Sequence, residues 1–204
     1  MPIMEHIKRH FKQCDPKLFA AIKNNEWQTL IRTHDHFTGL CRIVIGQQVS
    51  TKAAAAIFIK FTALFPRKRP TAKSVLALTD TELRSAGLSG SKAASIRDVA
   101  LRIENKSLRL KNLEKKSDTE IIEMLVAARG IGKWSAEMFL IFYLGRPDIF
   151  SSGDYALRVA IQKLYNKRIL PTPKEVTRIA RKWSPYRSYA CRILWESLSN
   201  NPDL

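Results

Sequence analysis

The chain has 204 residues, 45% of them hydrophobic, and 35 lysines and arginines against 18 aspartates and glutamates give it a formal net charge of +17. That length suits one domain or two small lobes, enough to bury roughly 70% of the unfolded surface. The basic residues run through the whole chain instead of gathering in a tail, so a folded body carries the positive field. This favours a polyanionic partner, nucleic acid ahead of an anionic membrane, over charge kept only for solubility.

Taken in chain order, nearly every segment reads as helix. The opening "MPIMEHIKRHFKQCD" is charged and lacks the apolar run of a signal peptide. Phe37, Leu40, Cys41, Val44 and Ile45 follow a 3.6-residue spacing, and the stripe ends at "GQQVS". Ser50 or Thr51 then caps a helix through "KAAAAIFIKFTALF", which Pro66 stops. "TAKSVLALTDTELRSAGLS" holds two short helical starts, with Thr79 and Glu82 spaced as a capping box. A further helix begins near Ser91 and continues through Asp98 to Ile103, and "SDTEIIEMLVAAR" is another amphipathic one. "PTPKEVTRIARKW" and "YRSYACRILWESL" close the chain. No stretch alternates over enough residues for a sheet, and no linker or low-complexity segment divides the chain. The expectation is one domain over residues 1–204, an all-α compact helical bundle in two lobes.

Three cysteines, Cys14, Cys41 and Cys191, lie far apart and offer neither CxxC spacing nor a disulfide framework, which points to a reducing compartment. The longest apolar stretch, residues 138–144, is far too short to cross a bilayer. An intracellular monomer without membrane contact is expected, in the cytoplasm with the nucleoid or in the nucleus.

The segment with the most chemistry is "RGIGKWSAEMF", residues 129–139. Gly130 and Gly132 can take positive φ and let another molecule's backbone approach. The helix that follows presents unpaired N–H groups and the positive end of its dipole, which suit a phosphate. "GIGK" is not a P-loop, because one residue instead of four separates the glycines and Trp134 follows Lys133. An internal echo, "LRSAGLSGSKAASI" (83–96) against "LVAARGIGKWSAEM" (125–138), suggests a second turn of the same outline around Gly87, Ser89 and Lys92. Either turn alone also reads as a plain helix–helix connection with a glycine C-cap.

The hairpin over about residues 119–144 resembles the helix-hairpin-helix motif. Followed by the small-residue loop and aspartate of "DIFSSGDYALRVAI", it resembles the helix-hairpin-helix DNA glycosylase superfamily. "IVIGQQVSTKAAAAI" and "WSPYRSYACRILW" are similar to segments of its alkylpurine (3-methyladenine) glycosylase II branch, so the resemblance runs from about Phe37 to Trp195. Longer bacterial members carry an additional N-terminal β-rich domain, for which 204 residues leave no room.

The resemblance implies duplex DNA with damaged bases as the partner and Asp154 as the catalytic carboxylate. Taken alone, Asp154 reads as the N-cap of a helix starting at Tyr155. The resemblance makes Gln48 the wedge that fills the space left by a flipped base, with Gln47 the second candidate. It puts Trp134, Met138 and Trp195 at the base pocket, and phosphate contacts at Gly130, Ile131, Gly132, Lys133 and Ser135, while the internal echo suggests further phosphate contacts at Gly87, Ser89 and Lys92.

Trp195 lies some 140° around its helix from Ala190, off the apolar face, and indole faces attract a cationic purine. Phe150 and Tyr155 flank the aspartate as packing residues. The branch of the family with a strand-cleaving lyase step carries a lysine immediately before the Thr/Ser-Ala of the hairpin helix. Here that position is Trp134, with Lys133 one residue early, about 100° around the helix. A monofunctional enzyme is therefore expected, with no cofactor, no catalytic metal and at most a structural monovalent cation at the hairpin. The alternatives are a non-catalytic helix-hairpin-helix DNA-binding protein and a glycosylase for another damaged base.

Overall fold

Side-chain caps set where most of the helices begin. The computed structural model describes residues 3–23, 27 and 29–200, and among these it contains twelve α-helices and no β-strand. In chain order they are α1 (Ile3–Cys14), α2 (Pro16–Ile22), α3 (His36–Gly46), α4 (Thr51–Ala63), α5 (Ala72–Ala77) and α6 (Asp80–Ser85). There follow α7 (Gly90–Glu104), α8 (Asp118–Val126), α9 (Lys133–Phe142), α10 (Tyr155–Leu164), α11 (Pro173–Ala180) and α12 (Arg187–Asn200). The all-α expectation holds. Of the two candidate caps for α4 the structure uses Ser50, whose Oγ accepts the Ala53 N–H at 3.2 Å. The Thr79–Glu82 capping box forms, and α7 starts one residue ahead of expectation because Ser89 caps it.

The chain divides into two compact units. The unit Arg32–Leu144 carries α3 to α9. Within it α7 packs on α5 and α3, α3 also meets α4 and α9, and α8 pairs with α9 across the hairpin. Leu40, Ile45, Phe61, Leu83, Ile96 and Phe139 are fully buried there. Burying each such side chain contributes about 1.5–3 kcal/mol, so α3 is held on several sides at once and its C-terminal end becomes a fixed platform.

The other unit joins Met1–Ile31 to Gly145–Leu204 and carries α1, α2 and α10 to α12. Its core gathers Ile7, Phe11, Leu18, Leu157, Ile161 and Trp183. The sequence reading singled out neither α1 nor α2. The stripe Ile7–Phe11 and the pair Asp15-Pro16, an N-cap followed by proline at the first helical position, are the local signals. The helix expected over "PTPKEVTRIARKW" stops at Ala180, and Arg181–Trp183 tighten into a 3₁₀ turn.

That turn swings Trp183 inward, where its Nε1–H donates to Asp15 Oδ2 at 2.8 Å. The same oxygen receives the Tyr165 hydroxyl and lies 2.9 Å from Lys182 Nζ, while Oδ1 accepts the Leu18 N–H. Burial pushes the Asp15 carboxyl up, but hydrogen bonds from Tyr165, Trp183, Lys182 and Leu18 outweigh it and hold the group below the ordinary carboxylate value.

Candidate active site

The hairpin turn between α8 and α9 is held from inside and left open outside. Gly130 has φ +74, and a Cβ there would lie 2.1 Å from Ser95 Oγ, so only glycine fits. Gly132 departs from expectation. Its φ of −89 and ψ of 175 are extended backbone open to any residue, and a Cβ there would meet nothing within 4 Å. Ile131 between them is buried and pins the turn to the unit. Asp98 Oδ2 accepts the Arg129 N–H at 2.8 Å and the Arg102 Nε–H at 2.7 Å. Burial would raise the Asp98 carboxyl, but the Arg129 amide and Arg102 outweigh it and lower it.

The consequence is at the start of α9. Helices α2 to α8, α10 and α11 each have a side chain accepting an N-terminal amide, whereas Gly132 brings none to α9. Its first amides carry partial positive charge with no side-chain acceptor at the cap, which is the electrostatics of an anion site. Lys133 adds a side chain that is 73% exposed and 3.9 Å from the Glu137 carboxylate. Ser135 contributes only its backbone on this side. Its side chain is buried and its Oγ accepts from Gln47.

The echoing turn has the same outline but a different use of its polar groups. Gly87 has φ +91 and Leu88 is buried, as Gly130 and Ile131 do and are. Ser89, however, turns its own hydroxyl onto the Lys92 N–H. The Lys92 ammonium donates to the carbonyl of Ile45 at the end of α3, 2.8 Å away, and burial lowers its pKa. The second phosphate grip expected at Gly87, Ser89 and Lys92 therefore has its serine hydroxyl and its lysine committed within the protein.

The two adjacent glutamines separate cleanly. Gln48 is exposed, with a left-handed φ of +55. The Gln47 Nε2 donates to Gly130 O and to Ser135 Oγ, both at 2.9 Å. A cavity of about 420 Å³ lies beside them, lined by Gln47, Gln48, Ser89, Ser91, Lys92 and Gly130.

In the other unit, Asp154 is both the helix cap and a candidate reacting group. Its Oδ1 accepts the Leu157 N–H at 2.8 Å, capping α10, and the Trp195 Nε1–H at 3.0 Å. The residue is 9% exposed. Trp195 is half-buried, with its indole edge turned to this carboxylate.

The loop that delivers Asp154 is fastened to α12. Arg187 makes a forked pair with Asp148, Nε to Oδ1 at 2.7 Å and Nη2 to Oδ2 at 2.9 Å. Ser188 Oγ donates to Arg146 O at 2.6 Å and accepts the Ile149 N–H at 2.9 Å. The sequence reading used "WSPYRSYA" as a family signature and missed this role. Phe150 packs against Trp183, ring centroids 5.8 Å apart. Tyr155 is 68% exposed, so the expectation of a packing residue fails: as the first residue of α10 it points off the helix's buried side. Trp134 is 37% exposed and Met138 is buried.

Among the described residues no group of three or more His, Cys, Asp or Glu could hold a metal, and no helix is long and apolar enough to cross a membrane. Residues 41–185 match the family model of HhH-GPD superfamily base excision DNA repair proteins, so the chain belongs to that family. It is 31% identical to DNA-3-methyladenine glycosylase 1 of Schizosaccharomyces pombe, over 89% of this chain and 80% of that protein. The solved structure of the Schizosaccharomyces pombe 3-methyladenine DNA glycosylase in complex with abasic DNA aligns with a TM-score of 0.87 at 27% identity, covering 95% of this chain and 97% of that one. A DNA-3-methyladenine glycosidase from Bacillus halodurans aligns with a TM-score of 0.78 at 33% identity, over 92% and 88% of the two chains.

Proposed function

We propose that this chain is a monofunctional DNA glycosylase of base excision repair that hydrolyses the N-glycosidic bond of alkylated purines after flipping them from the duplex. The observation that carries the reading is the seat of Asp154, a nearly buried carboxylate oriented by the Leu157 amide and the Trp195 indole N–H. A protein that only bound a polyanion would gain a helix cap here, which an uncharged serine or asparagine supplies equally well, but would have no use for the negative charge. Relatives named DNA-3-methyladenine glycosylase and a structural neighbour solved on abasic DNA support the same activity.

In this reading the amides at the start of α9, with Lys133, hold a DNA phosphate, and Gln48 fills the gap left by the extruded base. The C1′–N bond breaks with its electron pair going to the base, and positive charge develops on the sugar, where Asp154 stabilises it. Water adds to C1′ and gives up a proton, for which the carboxylate is the available acceptor. Alkylation at purine N3 or N7 makes the base cationic, so it leaves neutral without a dedicated acid. Trp195, hydrogen-bonded to Asp154, offers an indole face to such a base. No lysine occupies the position before Ser135-Ala136, which supports hydrolysis without a Schiff base.

The test is base release from duplexes carrying 3-methyladenine, 7-methylguanine, ethenoadenine, 8-oxoguanine or uracil. Release of the first two is expected, with strand breaks only after alkali and no adduct trapped by borohydride. Preference for 8-oxoguanine or uracil would redirect the reading to another lesion. Tight binding without release of any base would leave a DNA-binding protein.

A further inference from the structure

Gln47 and Gln48 line one cavity, but Gln47 is half-buried and hydrogen-bonded to the hairpin while Gln48 is exposed, and the contrast assigns Gln47 a role. A wedge must push against stacked bases, so the backbone carrying it has to be braced. Gln48, Val49 and Ser50 are all exposed. The turn is fixed on its α4 side by the Ser50 cap and on its α3 side by Lys92 holding Ile45 O. Between these anchors the Gln47 side-chain amide ties the turn to the rest of the unit. It reaches Gly130 O and Ser135 Oγ, the turn and the first turn of α9. A carbonyl oxygen only accepts, so the NH₂ end must face Gly130, and both bonds use that one nitrogen. The far side of the same turn is held by Asp98 through the Arg129 N–H.

We propose that Gln47 is a positioning residue that locks the wedge Gln48 to the phosphate-holding hairpin, so that binding energy gained on the backbone is delivered to base extrusion. The inference rests on Gln48 being the wedge. A residue in this role acts through its neighbour, so its loss should cost nothing further once the wedge side chain is gone.

The experiment is a double-mutant cycle with Gln47→Met, which keeps length and removes the donor, and Gln48→Ala. Two readouts are taken at saturating protein, so that affinity drops out. One is single-turnover release of 7-methylguanine. The other is the fluorescence of 2-aminopurine placed beside an abasic site, which reports unstacking and needs no chemistry. Each single variant should slow release about tenfold and blunt the fluorescence rise, and the double variant should match Gln48→Ala within about twofold. Gln47→Glu, isosteric but unable to donate to Gly130 O, should not rescue.

Multiplying losses in the double variant would overturn the inference. So would a Gln47→Met protein that melts earlier yet shows normal unstacking and release at saturation. If Gln47→Met fails to fold, Ser135→Ala removes one of the two acceptors and should show a smaller loss that again vanishes in the Gln48→Ala background. A wild-type protein that unstacks 2-aminopurine but releases no base would sink the enzymatic reading and leave the cycle decisive through fluorescence. A Gln48→Ala protein with unchanged unstacking would remove the wedge and this inference with it.

Discussion

Helices α9 and α10 both begin after a glycine-containing turn, and they treat the positive end of the helix in opposite ways. At α9 the N-cap is Gly132, which supplies no side-chain acceptor for the first amides. At α10 the N-cap is Asp154, whose own carboxylate takes the Leu157 amide at 2.8 Å. One helix end is built to receive an anion, and the other is built to hold one. The helix-end N–H groups that suit a phosphate at the first donate to a nearly buried carboxylate at the second. Helix α10 thereby supplies part of what a buried charge needs, and Trp195 supplies another hydrogen bond.

The largest effect should come from removing the charge at α10 while keeping its cap. Asn at position 154 retains a carbonyl oxygen for the Leu157 and Trp195 N–H groups, and asparagine is as good an N-cap as aspartate. Asp154→Asn is therefore expected to fold and bind duplex DNA at least as well as wild type, with base release slower by at least ~10²-fold. Single-turnover kinetics and duplex Kd measured on one preparation check both halves. Near-normal release would reduce Asp154 to a cap.

Trp195→Leu should come next, with release slowed about tenfold through loss of the N–H bond to a charged acceptor and of the indole face. The two contributions can be told apart. Trp195→Phe restores an aromatic face without the donor, so partial recovery for cationic 3-methyladenine but not for neutral ethenoadenine would mark stacking. Equal losses on every lesion would mark the hydrogen bond to Asp154. A large fall in Tm with equal losses would return Trp195 to a structural role.

How much of this was legible in the sequence follows the range of the interactions. Asp154 could be read as a cap because that meaning is local, written in "SGDYALR", whereas its reading as a reacting group came only from the resemblance that spans the hairpin and the segments on either side. The hairpin was legible because Gly130 and Gly132 stand in a helical context, but that only Gly130 needs positive φ depends on Ser95, far off in the chain. The different backbone of Gln48 and the long-range partner of Gln47 were not legible in "GQQVS", since one rests on a single φ and the other on a carbonyl 83 residues away. Arg187 with Asp148, and Trp183 with Asp15, were hidden for the same reason: nothing in a helical period announces a partner 39 or 168 residues away. Lys92 shows the same limit: nothing in its position after a glycine turn announces that its ammonium donates to the Ile45 carbonyl at the end of α3.

The open end of α9 can be tested by closing it. A serine at 132 meets no neighbour within 4 Å and suits the extended backbone there, so Gly132→Ser should fold and gain a few tenths of a kcal/mol from the cap. Its hydroxyl would then occupy the amides meant for phosphate. Affinity should fall about tenfold on damaged and undamaged duplexes alike, because a phosphate contact carries no base information. The slope of log K against log salt should flatten by about 0.9, one phosphate's worth. A lesion-selective loss would mean that Gly132 lies near the base and not the backbone.

The smallest effect is expected at α7, whose entrance is the hairpin's echo with the cap put back. Ser89→Ala removes the hydroxyl that takes the Lys92 N–H. It should cost about 1 kcal/mol of stability, visible as a Tm lower by a few degrees, while duplex affinity stays within about twofold. Ser89→Gly isolates the point further, since glycine costs only a few tenths of a kcal/mol as a cap and leaves the α7 amides as open as those of α9. If an open helix end beside a positive-φ glycine is enough to hold a phosphate, Ser89→Gly should tighten duplex binding and steepen its salt dependence. If the duplex does not run past α7, neither quantity should move. A Ser89→Ala protein that binds DNA as poorly as Gly132→Ser would show that the serine hydroxyl itself meets the backbone, and that both turns grip DNA by different chemistry.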